Sequence, residues 1–482
     1  MKIKKLNANY LYNSIYQLFT LLLPIVLTPF ITRTIGAGGI GQYSYTRSIV
    51  TYFVLFGTVG SNLYAQREIA YTQADIQKKS IVFWEIFLLR CILLTISIAV
   101  YLPFAIHMKS YAVLLLIQTM DILAAYVDIT WYFQGVENFK KITTRNIIVK
   151  LLTMSAILIF IRSPRDLYLY VCIYCVGNFI GQALLWGDIC REIQRVSYKK
   201  LRPRKHFKGI LQLFIPQISI QIYLLIDKTM IELITGNSSE TGYYELAQTV
   251  QRACVAVVTA YGAVAASRVA ALKSQDKFQE IKDLLTQSHE LICLFAFPIA
   301  FGIMSIAHNL IPWFMGADYG RVADLLVMLC PLVFIIGFSN ISGMQYLVPM
   351  EMQNRMSICS ALGAITNVLF NLYAIPRYGA FGAAAASVLA ELVVLMCQGS
   401  FLRKLIDKKK ILFALLQALT GSLIMLFALK MTEKYLLHTA TLAHTIILTI
   451  EGIIIYGMVQ LLLKNRLIWN MGSLLWTKRG KE

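Results

Sequence analysis

The sequence predicts an all-α polytopic membrane protein, and three observations carry that prediction. Of the 482 residues, 57% are hydrophobic and 15% charged, whereas a soluble domain carries roughly 25% charged residues. The mean hydropathy is +0.63. Apolar runs long enough to span a bilayer, ~20 residues each, recur along the whole chain. These runs are too long and too uniformly apolar for barrel strands. The stretches between them reach only about twenty residues, too short for a catalytic domain of ordinary size.

Fourteen candidate spans fall near 10–32, 41–63, 80–104, 110–133, 142–161, 166–190, 209–234, 242–267, 286–307, 322–347, 356–376, 379–402, 411–430 and 443–463. Met1 to Lys5 is basic and precedes an apolar run, as in a signal peptide. That run continues past Phe30 without a small-residue cleavage site, so it reads as a retained first helix. Fourteen spans put both termini on one side. With the N-terminus assigned to that side, the termini and the loops after even-numbered helices hold 32 lysines and arginines, against 8 in the other loops. With Arg145 and Lys430, near span ends, counted in the adjoining loops, the remaining five, Arg47, Arg90, Lys150, Lys228 and Arg252, lie inside helices. This bias places both termini in the cytoplasm.

The organisation expected is an N-lobe of six helices (1–190), a basic cytoplasmic linker (191–208), a C-lobe of six helices (209–402), and two further helices with a basic tail (403–482). The linker and the other cytoplasmic loops account for the net charge of +20. Anchoring to anionic membrane lipids explains it better than nucleic acid, which is not expected as a partner. The nine cysteines are scattered, and Cys172 and Cys175 read as small apolar residues without the companions a metal site needs. Between helices 8 and 9, Phe278, Ile281, Leu284 and Leu285 share one face, which predicts a short amphipathic helix on the cytoplasmic surface.

The stretch Thr28 to Thr51, TPFITRTIGAGGIGQYSYTRSIVT, is rich in glycine and carries Arg33 and Arg47. A charge at membrane depth is costly and usually functional. An altered copy lies 200 residues later: Gln17 falls on Gln217, Thr28 on Lys228 and Gly36 on Gly236, and after one inserted residue Gly41 meets Gly242 and Tyr43 meets Tyr244. Six helices separate the copies, so both run the same way through the membrane, as a parallel repeat. Ser44, Arg47, Ser48 and Thr51 form one helical face; Glu245, Gln248, Thr249 and Arg252 form its counterpart. Such faces point at one another or at a wet cavity. The simplest arrangement is two pseudo-symmetric six-helix lobes around a central cavity, lined by helices 1, 2, 7 and 8. A rise of ~1.5 Å per residue puts Arg47 about 9 Å and Arg252 about 15 Å below the outer helix ends, with Lys228 near the depth of Arg47. Arginine suits bidentate phosphate binding, so these cations make a candidate anion site. Buried salt bridges between the lobes are the alternative.

Three stretches carry a resemblance: TRTIGAGGIGQYSYTRS, DITWYFQGVENFKKITTRNIIVKLL (128–152) and ALGAITNVLFNLYAIPRYGAFGAAAASVLAE (361–391). The chain resembles the polysaccharide-repeat-unit flippases (O-antigen, capsule or exopolysaccharide) of the exporter superfamily that also holds multidrug exporters. The resemblance implies a V-shaped two-lobed fold in the bacterial inner membrane, alternating access, and a substrate built on undecaprenyl pyrophosphate. It implies a non-enzyme acting as a monomer alongside polysaccharide polymerase and export proteins.

On that basis Arg47, Lys228 and Arg252 are expected to hold the pyrophosphate, and Arg33 at the outer mouth to receive or release it. Tyr43, Tyr45, Tyr243, Tyr244 and Gln248 are candidate sugar contacts, with an interfacial aromatic belt as the alternative for the tyrosines. No phosphate-binding loop for ATP is present, so an H+ or Na+ gradient is the expected energy source, with no other cofactor or metal. The intramembrane carboxylates are Glu85, Asp121, Asp128, Asp227 and Glu391. Asp227 is the preferred coupling residue, Glu245 and Glu85 are further candidates, and Glu85 is also expected to pair with Arg90. A multidrug exporter, a peptidoglycan-precursor flippase and a membrane-embedded polymerase or ligase are the rival functions.

Overall fold

The computed structural model describes residues 23–403, 405–436 and 439–469. The basic N-terminus, most of the first expected span with Gln17, and most of the basic tail lie outside the described residues, as does the side chain of Gln217.

The described residues form helices joined by turns and short links, with no strand among them, and the chain is a multi-pass membrane protein. Among the described residues, twelve helical segments are long and apolar enough to cross a membrane, and they coincide with twelve of the fourteen expected spans. The other two are 10–32 and 209–234, and the latter is covered by α10 (Arg204–Thr235), 32 residues long. The chain divides into two compact units, residues 1–242 and 243–482.

In the first unit, α1 (23–34) is followed by α2 (Gly36–Thr58), α3 (Ser61–Tyr71), α4 (Ile76–His107), α5 (Ala112–Val127) and α6 (Thr130–Gly135). Then come α7 (Phe139–Phe160), α8 (Leu167–Ala183), α9 (Trp186–Glu192) and α10. The glycine-rich stretch is not a loop. Gly36 alone breaks the helix, with φ +77°, and Gly236 does the same at φ +62° where α10 meets α11 (Ser238–Thr259). Only glycine adopts this left-handed backbone without strain. The repeat is thus written into the main chain at equivalent positions. Gly41 has another purpose. A Cβ there would overlap the carbonyl of Ser238, and one on Gly242 would overlap the carbonyl of Ala37. The equivalent glycines of the two copies therefore allow the first turns of α2 and α11 to touch backbone to backbone, as small residues do in membrane helix pairs.

The stretch DITWYFQG lies in the core of this unit. Trp131, Tyr132 and Phe133 are fully buried among Ile69, Phe83 and Ile86, and Trp131 stacks on Phe83 at 5.3 Å. Asp75 caps α4 by accepting from the backbone N–H groups of Gln77 and Lys78 at 3.0 and 3.1 Å. The Lys78 bond leads in holding its carboxyl below the usual range.

The second unit holds the rest of α11, then α12 (Gly262–Lys273), α13 (Phe278–Phe314), α14 (Gly320–Leu329) and α15 (Pro331–Asn340), which passes into a π-helical turn at Ile341–Leu347. It ends with α16 (Gln353–Tyr378), α17 (Ala380–Ser400), α18 (Lys408–Leu436) and α19 (Leu442–Leu462). The amphipathic segment after Lys277 is not a separate surface helix. It is the beginning of α13, a continuous helix of 37 residues, because Ile281 and Leu285 are buried within the unit rather than left for the membrane surface. α16 and α17 pack through small residues, with Gly363 against Val394 and Gly382 against the backbone of Ala374. The opposite side of α16 exposes Ile358, Leu362, Ile365, Leu369 and Leu372, a lipid-facing stripe at helical spacing.

Candidate functional site

In the first unit the site is built on Arg47. On α2, Ser44 and Ser48 are buried while Arg47 is exposed. Its guanidinium lies over the rings of Tyr43 at 5.7 Å and Tyr174 of α8 at 5.0 Å. Tyr43 is itself 7% exposed and packs edge-on against Tyr170 and Tyr174, at 5.4 and 5.8 Å. The aromatic faces supply a cation–π seat that is stronger where water is thin. Two further groups share this neighbourhood. Lys150 of α7 is within electrostatic reach of Arg47 and Tyr174. Asp121 of α5 accepts from Asn178 at 2.8 Å and from the Cys175 thiol at 3.4 Å. Arg33 is exposed at the end of α1. Asp227 and Lys228 are buried, at 3% and 7% exposure, beside Tyr52, whose hydroxyl meets that of Thr229 at 3.2 Å.

Glu85 and Arg90 do not pair. Five residues along a helix turn it by about 500°, so the two side chains point some 140° apart. Arg90 bonds instead to Asn62, to the carbonyl of Ala125 at 3.4 Å and to Asp128 at 3.5 Å. Glu85, 1% exposed, takes Lys205 at 2.6 Å, His206 Nε2 at 3.0 Å and the backbone N–H of Arg202 at 2.8 Å. His206 Nδ1 meets the Tyr64 hydroxyl at 2.9 Å. Glu85 thus pins the end of the basic linker to α3 and α4.

In the second unit the polar stripe of α11 closes on itself. Arg252 donates to Gln248 Oε1 at 2.8 Å, Glu245 Oε1 at 2.9 Å and Thr249 Oγ1 at 3.2 Å. This is an ion pair within one helix. Its side chains are 47% and 22% exposed, and exposed pairs are individually weak, ~0.2–1 kcal/mol. Tyr244 has no exposed surface and bonds to Ser387 at 3.0 Å, so its ring offers no face to a sugar in this conformation. Tyr45 is likewise 1% exposed, packed on Tyr111. Tyr243 is the partly exposed one of the four, with Arg321 over its ring at 5.9 Å.

Sequence reasoning missed Tyr174, His206 and Glu232. Glu232 is 3% exposed near the end of α10 and collects hydroxyls from distant parts of the first unit. The only signal for it was a carboxylate in a helix read as spanning.

A family described as "Polysaccharide biosynthesis protein" matches residues 6–267. The chain belongs to that family. Among relatives, the "Putative O-antigen transporter" of Escherichia coli (strain K12) is 22% identical over 405 residues, 83% of this chain and 97% of its own. The protein of the same description from Shigella dysenteriae is 20% identical over 382 residues, 78% of this chain and 94% of its own. The fold is that of the lipid II flippase MurJ in its inward closed conformation, with a TM-score of 0.75 at 15% identity, covering 95% of this chain and all of that one. An inward-facing multidrug resistance transporter of the MATE family aligns with a TM-score of 0.56 at 13% identity, over 86% of this chain and 99% of its own. The family member described here therefore shares its architecture with transporters.

Proposed function

We propose that this chain is a flippase. It moves undecaprenyl-pyrophosphate-linked oligosaccharide repeat units from the cytoplasmic to the outer leaflet of the inner membrane by alternating access, for O-antigen, capsule or exopolysaccharide. The observation that carries this reading is the exposed guanidinium of Arg47 on a span, seated on Tyr43 and Tyr174 with Lys150 nearby. Membrane helices keep a charge in such a place when it serves a polar substrate. An arginine fork fits the oxygens of a pyrophosphate, and a cationic site disfavours cationic drugs. The family membership and the names of the two relatives support the polysaccharide branch. The prenyl tail stays in lipid while sugar and pyrophosphate pass through, and an ion gradient drives the cycle. Both termini lie in the cytoplasm, as the lysine and arginine bias indicates.

The test is reconstitution into vesicles loaded on one leaflet with an undecaprenyl-pyrophosphate oligosaccharide. Arg47→Ala, inserted at the wild-type level, is expected to slow glycan appearance on the far side by about tenfold to a hundredfold, the worth of one or two charge-assisted hydrogen bonds. Arg252→Ala is expected to cost less, because Glu245 already holds that guanidinium. Wild-type rates in both variants would remove the anion site from the mechanism. Equal transport of lipid II and failure with the oligosaccharide would point instead to a peptidoglycan-precursor flippase.

A further inference from the structure

We propose that Glu232 is a proton-binding site, and that its titration releases a clasp joining the start of α5 to the α10–α11 turn. The inference rests on the transport function proposed above, for which it names the coupling ion as H+ and the residue that takes it. Glu232 Oε1 accepts from the hydroxyls of Tyr111 and of Ser238, the latter at 2.6 Å, and Oε2 accepts from Thr241 at 2.7 Å. Tyr111 and Ser238 also meet each other at 3.4 Å. Among the described residues the hydrogen-bond partners of the Glu232 carboxyl are hydroxyl groups, and Glu232 is 3% exposed. Carboxylates in membrane helices mark ion pathways.

The charged and titratable groups around it come from every neighbouring element. Lys228 lies one turn earlier on α10, next to Asp227. Tyr45 stacks on Tyr111 from α2 at 5.1 Å. Lys109 and His107 precede Tyr111, and Glu240 sits in the first turn of α11.

An ionised carboxylate only accepts hydrogen bonds, and it can take all three of these. Adding a proton from water makes one oxygen an O–H donor. On Oε1 the proton displaces or reverses the bonds from Tyr111 and Ser238; on Oε2 it displaces the bond from Thr241. At least one tie of the clasp is therefore reversed or lost in the protonated state, which changes the geometry it holds. What it holds is poised to move: Gly236, left-handed and with open space where a Cβ would stand, separates α10 from α11. The charge bias places this turn on the outer side, where protons enter down their gradient.

The experiment uses the full chain in lipid nanodiscs, with spin-labelled unnatural residues at the exposed positions Ser110 and Asn237. The distance distribution between the labels is measured at a series of pH values from about 8 to about 5. The wild-type chain is expected to shift to longer distances as pH falls. Glu232→Gln, which keeps the side-chain shape and so preserves folding, is expected to lose that shift, while Asp227→Asn keeps it. An unchanged wild-type distribution, a shift that survives Glu232→Gln, or a shift abolished by Asp227→Asn alone would overturn the proposal. If the clasp titrates as expected but vesicles move no lipid-linked glycan, the transport reading fails and the proton site stands. If glycan moves while the clasp is inert to pH, the proton site fails and the transport reading stands.

Discussion

Gly41→Val is expected to leave little folded protein in the membrane. The first turn of α2 crosses that of α11 with the would-be Cβ of Gly41 overlapping the Ser238 carbonyl. Main chain cannot swing aside as a flexible side chain does. Overpacking a tight contact costs ~1–3 kcal/mol, and here the obstacle is backbone from both directions, since Gly242 meets Ala37 in the same way. The variant should melt at a lower temperature in detergent and be recovered in lower yield. Gly38→Ala is the control, because its Cβ would meet only the Ser239 hydroxyl at 3.5 Å, an ordinary contact. Equal yield and melting for Gly41→Val and wild type would show that the two turns do not touch.

Glu85→Ala is expected to free the basic linker. The substitution strands Lys205, the Arg202 N–H and His206 Nε2 together. Removing one partner of a buried charge cluster costs ~3–5 kcal/mol, and the value here falls toward the lower end because Lys205 is 50% exposed. The loss is local, since Tyr64 still reaches His206 from α3. Limited trypsin digestion reads it directly, as the linker between Arg195 and Lys208 is dense in lysine and arginine. Cleavage there should accelerate severalfold in the variant, while cuts elsewhere keep their rate. An unchanged digestion pattern would mean that the linker is held by something other than Glu85.

Much of this architecture was legible because bilayer thickness is a one-dimensional signal. The spans could be read from run length alone, and the repeat from Gly36 and Gly236. The stripe on α11 was correct as a helical face. Its outcome was not readable, because closure of Arg252 onto Glu245 depends on how far two flexible side chains reach. The pairing of Glu85 with Arg90 failed for a related reason: nearness in sequence put them on the same helix but on different sides. The segment after Lys277 has the pattern of a surface helix, and only its burial against the second unit shows otherwise. Glu232 was invisible for a stronger reason. Its partners Tyr111 and Thr241 are separated by 130 residues, and nothing in either local pattern marks a shared acceptor. The motif with DITWYFQG was conspicuous, yet it proves to be packing: its aromatic residues are buried in the first unit. Exchanging it between relatives should change the melting temperature in detergent.

The self-closed stripe of α11 has a kinetic meaning. Glu245 is a competitor tethered to the same helix as Arg252, present at high effective concentration whatever the substrate level. Any anion that reaches Arg252 must displace it, and Glu245 returns as soon as contact loosens. Binding there is therefore shallow by construction and dissociation fast. On the proposed function, a site made only of arginines would hold a pyrophosphate too long to release it. A carrier's turnover is limited by its deepest well, and this arrangement keeps the well on α11 shallow.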